Sequence, residues 1–269
     1  MSHRPVSAEL DRGKGYTYPT KFVEWLIDCS EIPLASAELR RIAGWYPVAF
    51  KKQDSGFTLI MPLTAPGCLN PLVDEKTGKW IGSALPNALK LYPYSIQSLG
   101  EAGFSLCIDQ DAEAQFTIDG PNKLFTETGV KTDFHDKMVG ALEQRKHRLQ
   151  LDSGILESLQ SHDLFIPWEL NLGTDDHPIV REDLFTIDEQ RLNELGSNYA
   201  ATIFSKGGAN LVYGHFYSKL RSKAPSIFLT KRKKLEKLDS ENWRKKAPGY
   251  ERELLQSSDG LLDYSIILK

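Results

Sequence analysis

Apolar residues run in short strand-length blocks through the first half of the chain and recur at helical spacing through the second. The blocks "GFTLIMPL", "FSLCIDQD" and "AQFTID" are bounded by Gly, Asp and Pro, the mark of short strands. "DEKTG" (74–78) is a turn signal and predicts a hairpin joining 72–74 to 79–83. Tyr-Pro occurs twice, at Tyr46 with Pro47 and at Tyr92 with Pro93. Proline pushes the residue before it out of helical geometry and suits the first position of a strand. Both pairs therefore predict a switch from a short helix to a strand, beginning "PVAF" and "PYSI". Upstream, Ser36 is placed to cap a helix with Leu39, Ile42 and Ala43 on one face.

From Thr132 to His162 the residues Phe134, Met138, Leu142, Leu149, Leu156 and Leu159 follow a period near 3.6. They predict one long helix, or two divided at Gly154. "FIPWELNLG" and "HPIVREDLFTI" form a returning pair of strands. Asp188 caps a helix that Gly196 ends, and Gly207 with Gly208 separates two more. In the last of these, Ala209, Val212, Tyr213, Phe216, Tyr217 and Leu220 share the expected apolar face. The pattern predicts an α+β domain with a single interior: a mixed or largely antiparallel sheet from 45–130 and 165–186, packed against C-terminal helices.

Composition adds boundaries. Residues 1–20 are polar and rich in Gly and Pro, which predicts a flexible N-terminal arm before a domain over 21–220. Net charge is −3, yet 219–246 hold eleven Lys and Arg against three acids. This sets off 221–269 as a basic extension, with Lys231, Arg232, Lys233 and Lys234 its densest run. Such a run suits phosphate backbones or anionic lipid; a solvated face is the simpler reading and nucleic acid the weaker one. Three cysteines without a CxxC pair argue against a disulfide framework. No apolar run approaches the ~20 residues of a membrane span, and the opening residues lack a signal-peptide core. These features together predict a cytoplasmic protein.

"WYPVAF", "GKWIGSALPNALKLYPYSI", "LCIDQD", "LFTETG" and "ANLVYGHFYSKL" occur in the order of motifs of the bacterial SapC family, which the chain resembles over 33–220. The resemblance implies a soluble accessory or binding role and carries over no catalytic residue. It also implies a link to surface-array (S-layer) proteins, from which the family takes its name. A gene neighbourhood of flavin-dependent tryptophan halogenases, cupin-like oxygenases and outer-membrane receptors is implied too. The N-terminal portion and the basic tail depart from the family pattern.

Catalytic signatures are absent. The six histidines form no HxH, HxD or HExxH, and neither GxSxG, GxGxxG nor GxxxxGK[ST] occurs, so no metal or cofactor is expected. The function expected is a non-enzymatic accessory protein that binds a peptide or protein partner. Its candidate binding residues are the aromatics of the shared motifs, Trp80, Tyr92, Tyr94, Tyr213 and Tyr217, with His215, in a groove where the Tyr-Pro joints meet the 209–220 helix. The interior, where its ring would bond to a carbonyl, is the simpler place for His215. Two alternatives stand beside this reading. One is an enzyme in which His215 meets Asp109 or Asp111; the other is an adaptor acting through the basic tail.

Overall fold

Asp54 and Ser55 make the tight turn on which the main sheet is built, with Gly56 following at φ 118°. The structure, a computed structural model, describes residues 3–16, 24–27, 29–74, 80–118, 120–205 and 207–230. In chain order it forms β1 (His3–Pro5), α1 (Ala8–Asp11), β2 (Gly15–Tyr16), α2 (Glu24–Ile27) and β3 (Glu31–Pro33). A 3₁₀ turn (Ser36–Glu38) leads into α3 (Leu39–Ile42), the hairpin of β4 (Ala49–Gln53) and β5 (Gly56–Pro62), then α4 (Asn87–Lys90). Next come β6 (Tyr94–Ser98), β7 (Phe104–Asp109), β8 (Phe116–Thr117) and the long α5 (Asp133–Ser161). The chain continues through β9 (Phe165–Pro167), β10 (Leu170–Asn171), β11 (Val180–Arg181) and β12 (Leu184–Ile187). Then come α6 (Glu189–Glu194), α7 (Ser197–Ser205) and α8 (Gly208–Lys219).

The protein has an α+β fold, and every pairing between these strands is antiparallel. The strands do not form one sheet, however. Five of them run β3-β5-β4-β12-β9, while β6 and β7 form a separate sheet with β1. Successive side chains of a strand point to opposite faces, and β5 shows it. Leu59 and Met61 face one core with Phe50, Leu159, Leu211 and Val212. Ile60 faces a second cluster on the other side with Leu170, Leu172 and Leu184. A third cluster gathers Tyr16, Tyr94, Leu106, Ile108 and Phe116 over the smaller sheet.

The long helix α5 ties the interior together. Its N-terminal half sends Phe134, Met138 and Leu142 into the small-sheet cluster, and its C-terminal half sends Ile155, Leu156 and Leu159 into the main core. It is capped by the Thr132 hydroxyl, which accepts from the His135 N–H at 3.3 Å. Gly154 does not break it. A glycine inside a helix costs only ~1 kcal/mol, less than the neighbouring burial contributes. Ser36 is not the helix cap expected of it; the Glu38 carboxylate caps that turn by accepting from the Ala35 N–H at 3.0 Å.

Residues 3–16 are folded, where their composition suggests an arm. β1 pairs with β7 and β2 with β8, and Arg4 meets the buried Asp11 at 2.8 Å. Backbone pairing on a sheet edge and one buried ion pair leave little trace in a polar sequence. Both Tyr-Pro joints stand at strand entrances, and the Tyr92–Pro93 bond is cis. The hairpin expected over 72–83 is present as one antiparallel bridge between Val73 and Trp80; its turn, and Lys231, Arg232, Lys233 and Lys234, lie outside the described residues.

Candidate functional site

An open cleft lies at the seam between the two cores that α5 joins, and holds about 430 Å³. Ala141, Gln144, Arg145 and Arg148 line it from one side of α5, at the three- and four-residue spacing of a single helix face. Ala35, Ala37 and Glu38 close it from the 3₁₀ turn, and Asn87, Lys90 and Leu91 from α4 and its end.

Buried carboxylates hold the walls. Asp152 accepts from the Ser36 N–H and from its hydroxyl, both at 2.6 Å, and pairs with Arg148 at 3.1 Å. Both oxygens of Glu38 accept backbone N–H groups, one from Ala35 at 3.0 Å and one from Asn87 at 2.5 Å. Glu38 thereby joins the 3₁₀ turn to the start of α4. With both oxygens committed, it is poorly placed to take a proton from a bound molecule.

The cations are less well served. Arg41 donates from Nη2 to the Asn87 side chain at 2.9 Å, and Arg145 from Nη2 to the Pro33 carbonyl at 3.2 Å. The Nε–H of each is buried with no acceptor among the described residues. Burial lowers the pKa of Arg145, with Glu38 partly opposing. Burial also lowers that of Lys90, and the nearby Arg41 charge adds to the effect. An arginine remains charged at neutral pH regardless. The arrangement offers charged donors and a shaped, partly apolar wall.

The aromatic residues expected to form one groove are divided among separate places. Trp80 is buried in the main core, close to the Tyr46 hydroxyl that accepts from the Ser83 N–H at 2.6 Å. The Gly82 backbone runs against both rings: a Cβ there would stand 2.4 Å from the Tyr46 hydroxyl and 2.7 Å from Trp80 Nε1. Tyr92 and Tyr94 lie in the small-sheet cluster, Tyr94 edge-on to Tyr16 at 5.9 Å and to Phe116 at 6.0 Å. Tyr213 and Tyr217 stand outward on α8, 60% and 59% exposed, and Tyr213 stacks on Phe204 at 5.8 Å.

The buried face of α8 is rotated from the one expected: Val212 is buried and Phe216 packs against the main core, but Tyr213, Tyr217 and Leu220 are exposed. It presents Gly208, Leu211, Val212, His215 and Ser218 to the interior. Small residues let the backbone come close: a Cβ on Gly214 would stand 2.8 Å from the Leu39 side chain. His215 is fully buried, with Nδ1 at 2.9 Å from the Val48 carbonyl and Nε2 at 2.8 Å from the Thr186 hydroxyl. Burial lowers its pKa to about 3, so the ring stays neutral at physiological pH. Neither Asp109 nor Asp111 is among its hydrogen-bond partners. Asp109 is buried at the end of β7 and accepts from the Asp111 N–H at 3.2 Å, as a turn former does.

A family model for SapC matches residues 17–224. The chain belongs to the SapC family. No curated protein and no solved structure matches it. The family match takes in each residue that lines the SapC cleft. No helix among the described residues of this SapC chain is long and apolar enough to cross a membrane. The cleft cations escape a search for catalytic motifs, because no short motif joins Lys90 to Arg145 and Arg148. The one signal in the sequence is "EQRKHR" on the predicted long helix, where Arg145 and Arg148 lie three residues apart.

Proposed function

We propose that this SapC-family chain is a non-enzymatic accessory protein that binds a peptide or protein partner, and that the α5 cleft takes an anionic group of that partner. One observation carries the reading: Arg145 lines the cleft from α5, and its guanidinium Nε–H is buried with no acceptor among the described residues. Buried donors are nearly always paired, so this one supports an acceptor supplied from outside. The polar groups that would serve as a base are otherwise engaged. Glu38 holds two backbone N–H groups, and His215 is bonded at both nitrogens. The exposed Tyr213 and Tyr217 are what remains of the expected aromatic surface for the same partner.

The test is affinity capture from host-cell lysate with quantitative mass spectrometry. The wild-type chain is compared with Arg145→Met and with a Tyr213→Ala, Tyr217→Ala double variant. The reading expects a partner held by the wild type and depleted at least several-fold by Arg145→Met. A partner retained equally by that variant removes the cleft from the account.

A further inference from the structure

We infer that the outer face of α8 binds an acidic peptide of the partner. The peptide seats one large apolar side chain in a groove beside Tyr213 and sets its carboxylates against Lys219, Arg221 and Lys223. The inference rests on the reading of this chain as a peptide- or protein-binding accessory protein and names the chemistry of the peptide. Three observations carry it.

The first is a groove. α6 and its end supply Leu192 and Leu195, α7 supplies Ile203 and Phe204, and α8 supplies Val212 and Tyr213; the space between holds about 150 Å³. None of the residues that line it carries a charge. An apolar cavity of ~150 Å³ admits benzene, so this groove takes the ring or branched end of a single side chain.

The second is an exposed row that leads out of the groove. Tyr213, Tyr217 and Leu220 are four and three residues apart, so they stand on one side of α8 and run along it for about 10 Å, at ~1.5 Å per residue. All three are exposed, Leu220 at 76%, and Phe204 stacks on Tyr213 at the groove end. Single exposed apolar residues are ordinary, but a contiguous row rimmed by charge marks an interaction surface. Interfacial helices bury a protruding apolar face in lipid; here the row leads into a recess, which favours a peptide.

The third is charge. From Leu195 to Leu235 the sequence holds eight Lys and Arg and neither Asp nor Glu, in a chain of net charge −3. Lys219, Arg221 and Lys223 belong to this stretch and stand at the far end of the row. Among the described residues none of the three has a carboxylate partner. Lys219 rests over the Trp168 and Phe216 rings at 6.0 and 5.9 Å, which leaves its charge without an anion. An uncharged groove at one end and unmatched cations at the other fit a peptide that is both apolar and acidic, and the same charges steer it in.

Display selection of random peptides of about 12 residues tests the assignment, a length that in extended form reaches from the groove past the end of α8. Selection uses the full chain, and fluorescence anisotropy measures the enriched peptides. The expected winners are net acidic and carry a Leu, Ile, Phe or Trp. Tyr213→Ala with Tyr217→Ala weakens the tightest of them by about tenfold or more, the cost of truncating tyrosines at the centre of an interface. Lys219→Gln, Arg221→Gln and Lys223→Gln together weaken it several-fold and flatten its salt dependence. Thermal unfolding confirms that both variants fold. Enriched peptides that are neutral or basic, acidic peptides indifferent to both variants, or no enrichment each overturn the inference. Three other occupants overturn it too: vesicles of phosphatidylcholine and phosphatidylserine bound through the tyrosines, self-association lost in the tyrosine variant, and a synthetic 250–268 peptide that binds as tightly as the selected ones. These assign the face to lipid, to a second copy and to the chain's own C-terminal residues in turn. If the inference falls while lysate capture still depends on Arg145, the proposed function stands; if capture fails as well, both fall.

Discussion

Arg181 at the edge of the main sheet and Arg145 in the α5 cleft are both drawn in from solvent, and they end in opposite conditions. Arg181 spends its donors inside the protein. It donates to both oxygens of Asp183 at 2.6 and 2.7 Å, to Glu31 at 2.7 Å and to the Thr64 carbonyl at 3.0 Å. Burial works against its charge, yet Asp183 and Glu31 outweigh that and leave its pKa raised. Among the described residues Arg145 makes one hydrogen bond, to the Pro33 carbonyl, and burial leaves its pKa lowered. The first arginine is a strut. The second has the profile of a receptor, because it lines an open cleft and keeps one donor unmet among the described residues. Residue type and burial do not separate the two; the balance of donors and acceptors does.

The comparison is breakable. Its largest expected effect is at the strut. Arg181→Met takes a buried guanidinium from Glu31 and Asp183, which are partly exposed and keep Lys51 at 2.7 and 3.7 Å. The cost therefore falls at the low end of the ~3–5 kcal/mol of a broken buried pair, about 3 kcal/mol. Chemical denaturation should show a loss of that size, and a loss below about 1 kcal/mol would mean the network is dispensable.

Next comes the pH dependence set by His215. Its folded pKa, about 3, is below the ordinary histidine value, so between that value and pH ~6.5 the unfolded chain binds the extra proton. Stability from this group is therefore complete above pH ~6.5 and falls as pH drops toward the folded value. Between pH 7 and pH 5 the loss is about 2 kcal/mol, and a His215→Asn variant should lack that slope. A wild-type slope no steeper than the variant's contradicts the buried, neutral ring.

Glu38→Gln is expected to cost ~1–2 kcal/mol, since an amide oxygen replaces one of two acceptors and its NH₂ faces a second N–H. Thermal unfolding measures it. The smallest effect belongs to Arg145→Met, which removes a half-buried cation with an unmet donor and keeps most of the side-chain volume. Its stability should stay within about 1 kcal/mol of the wild type, with loss of binding as the main consequence. A destabilisation as large as that of Arg181→Met would make Arg145 a strut as well.

Much of the fold is legible in the chain because its signals are local. Pro47 and Pro93 mark strand entrances, Asp188 caps α6, and Gly207 takes a positive φ of 81° between α7 and α8. What is not legible depends on distant partners. The inward face of α8 is set by the Val48 carbonyl, 167 residues before His215, and by the close approach of Leu39 to Gly214. A helical wheel that favours aromatics therefore places Val212 and Phe216 correctly and turns Tyr213 and Tyr217 inward when they face out. The cleft is harder still. Ser36 and Asp152 are 116 residues apart, and Glu38 reaches 49 residues along to Asn87. No local spacing encodes that meeting. The split of the aromatics has the same origin: Trp80, Tyr92 and Tyr94 fill two separate cores, leaving only Tyr213 and Tyr217 outside.

The most direct measurement is nuclear magnetic resonance of the arginine Nε–H groups during titration with the partner recovered by affinity capture. The account predicts that the Arg145 signal shifts and saturates while the Arg181 signal stays in place. An Arg145 signal that remains fixed while Arg181, or neither, responds would contradict it.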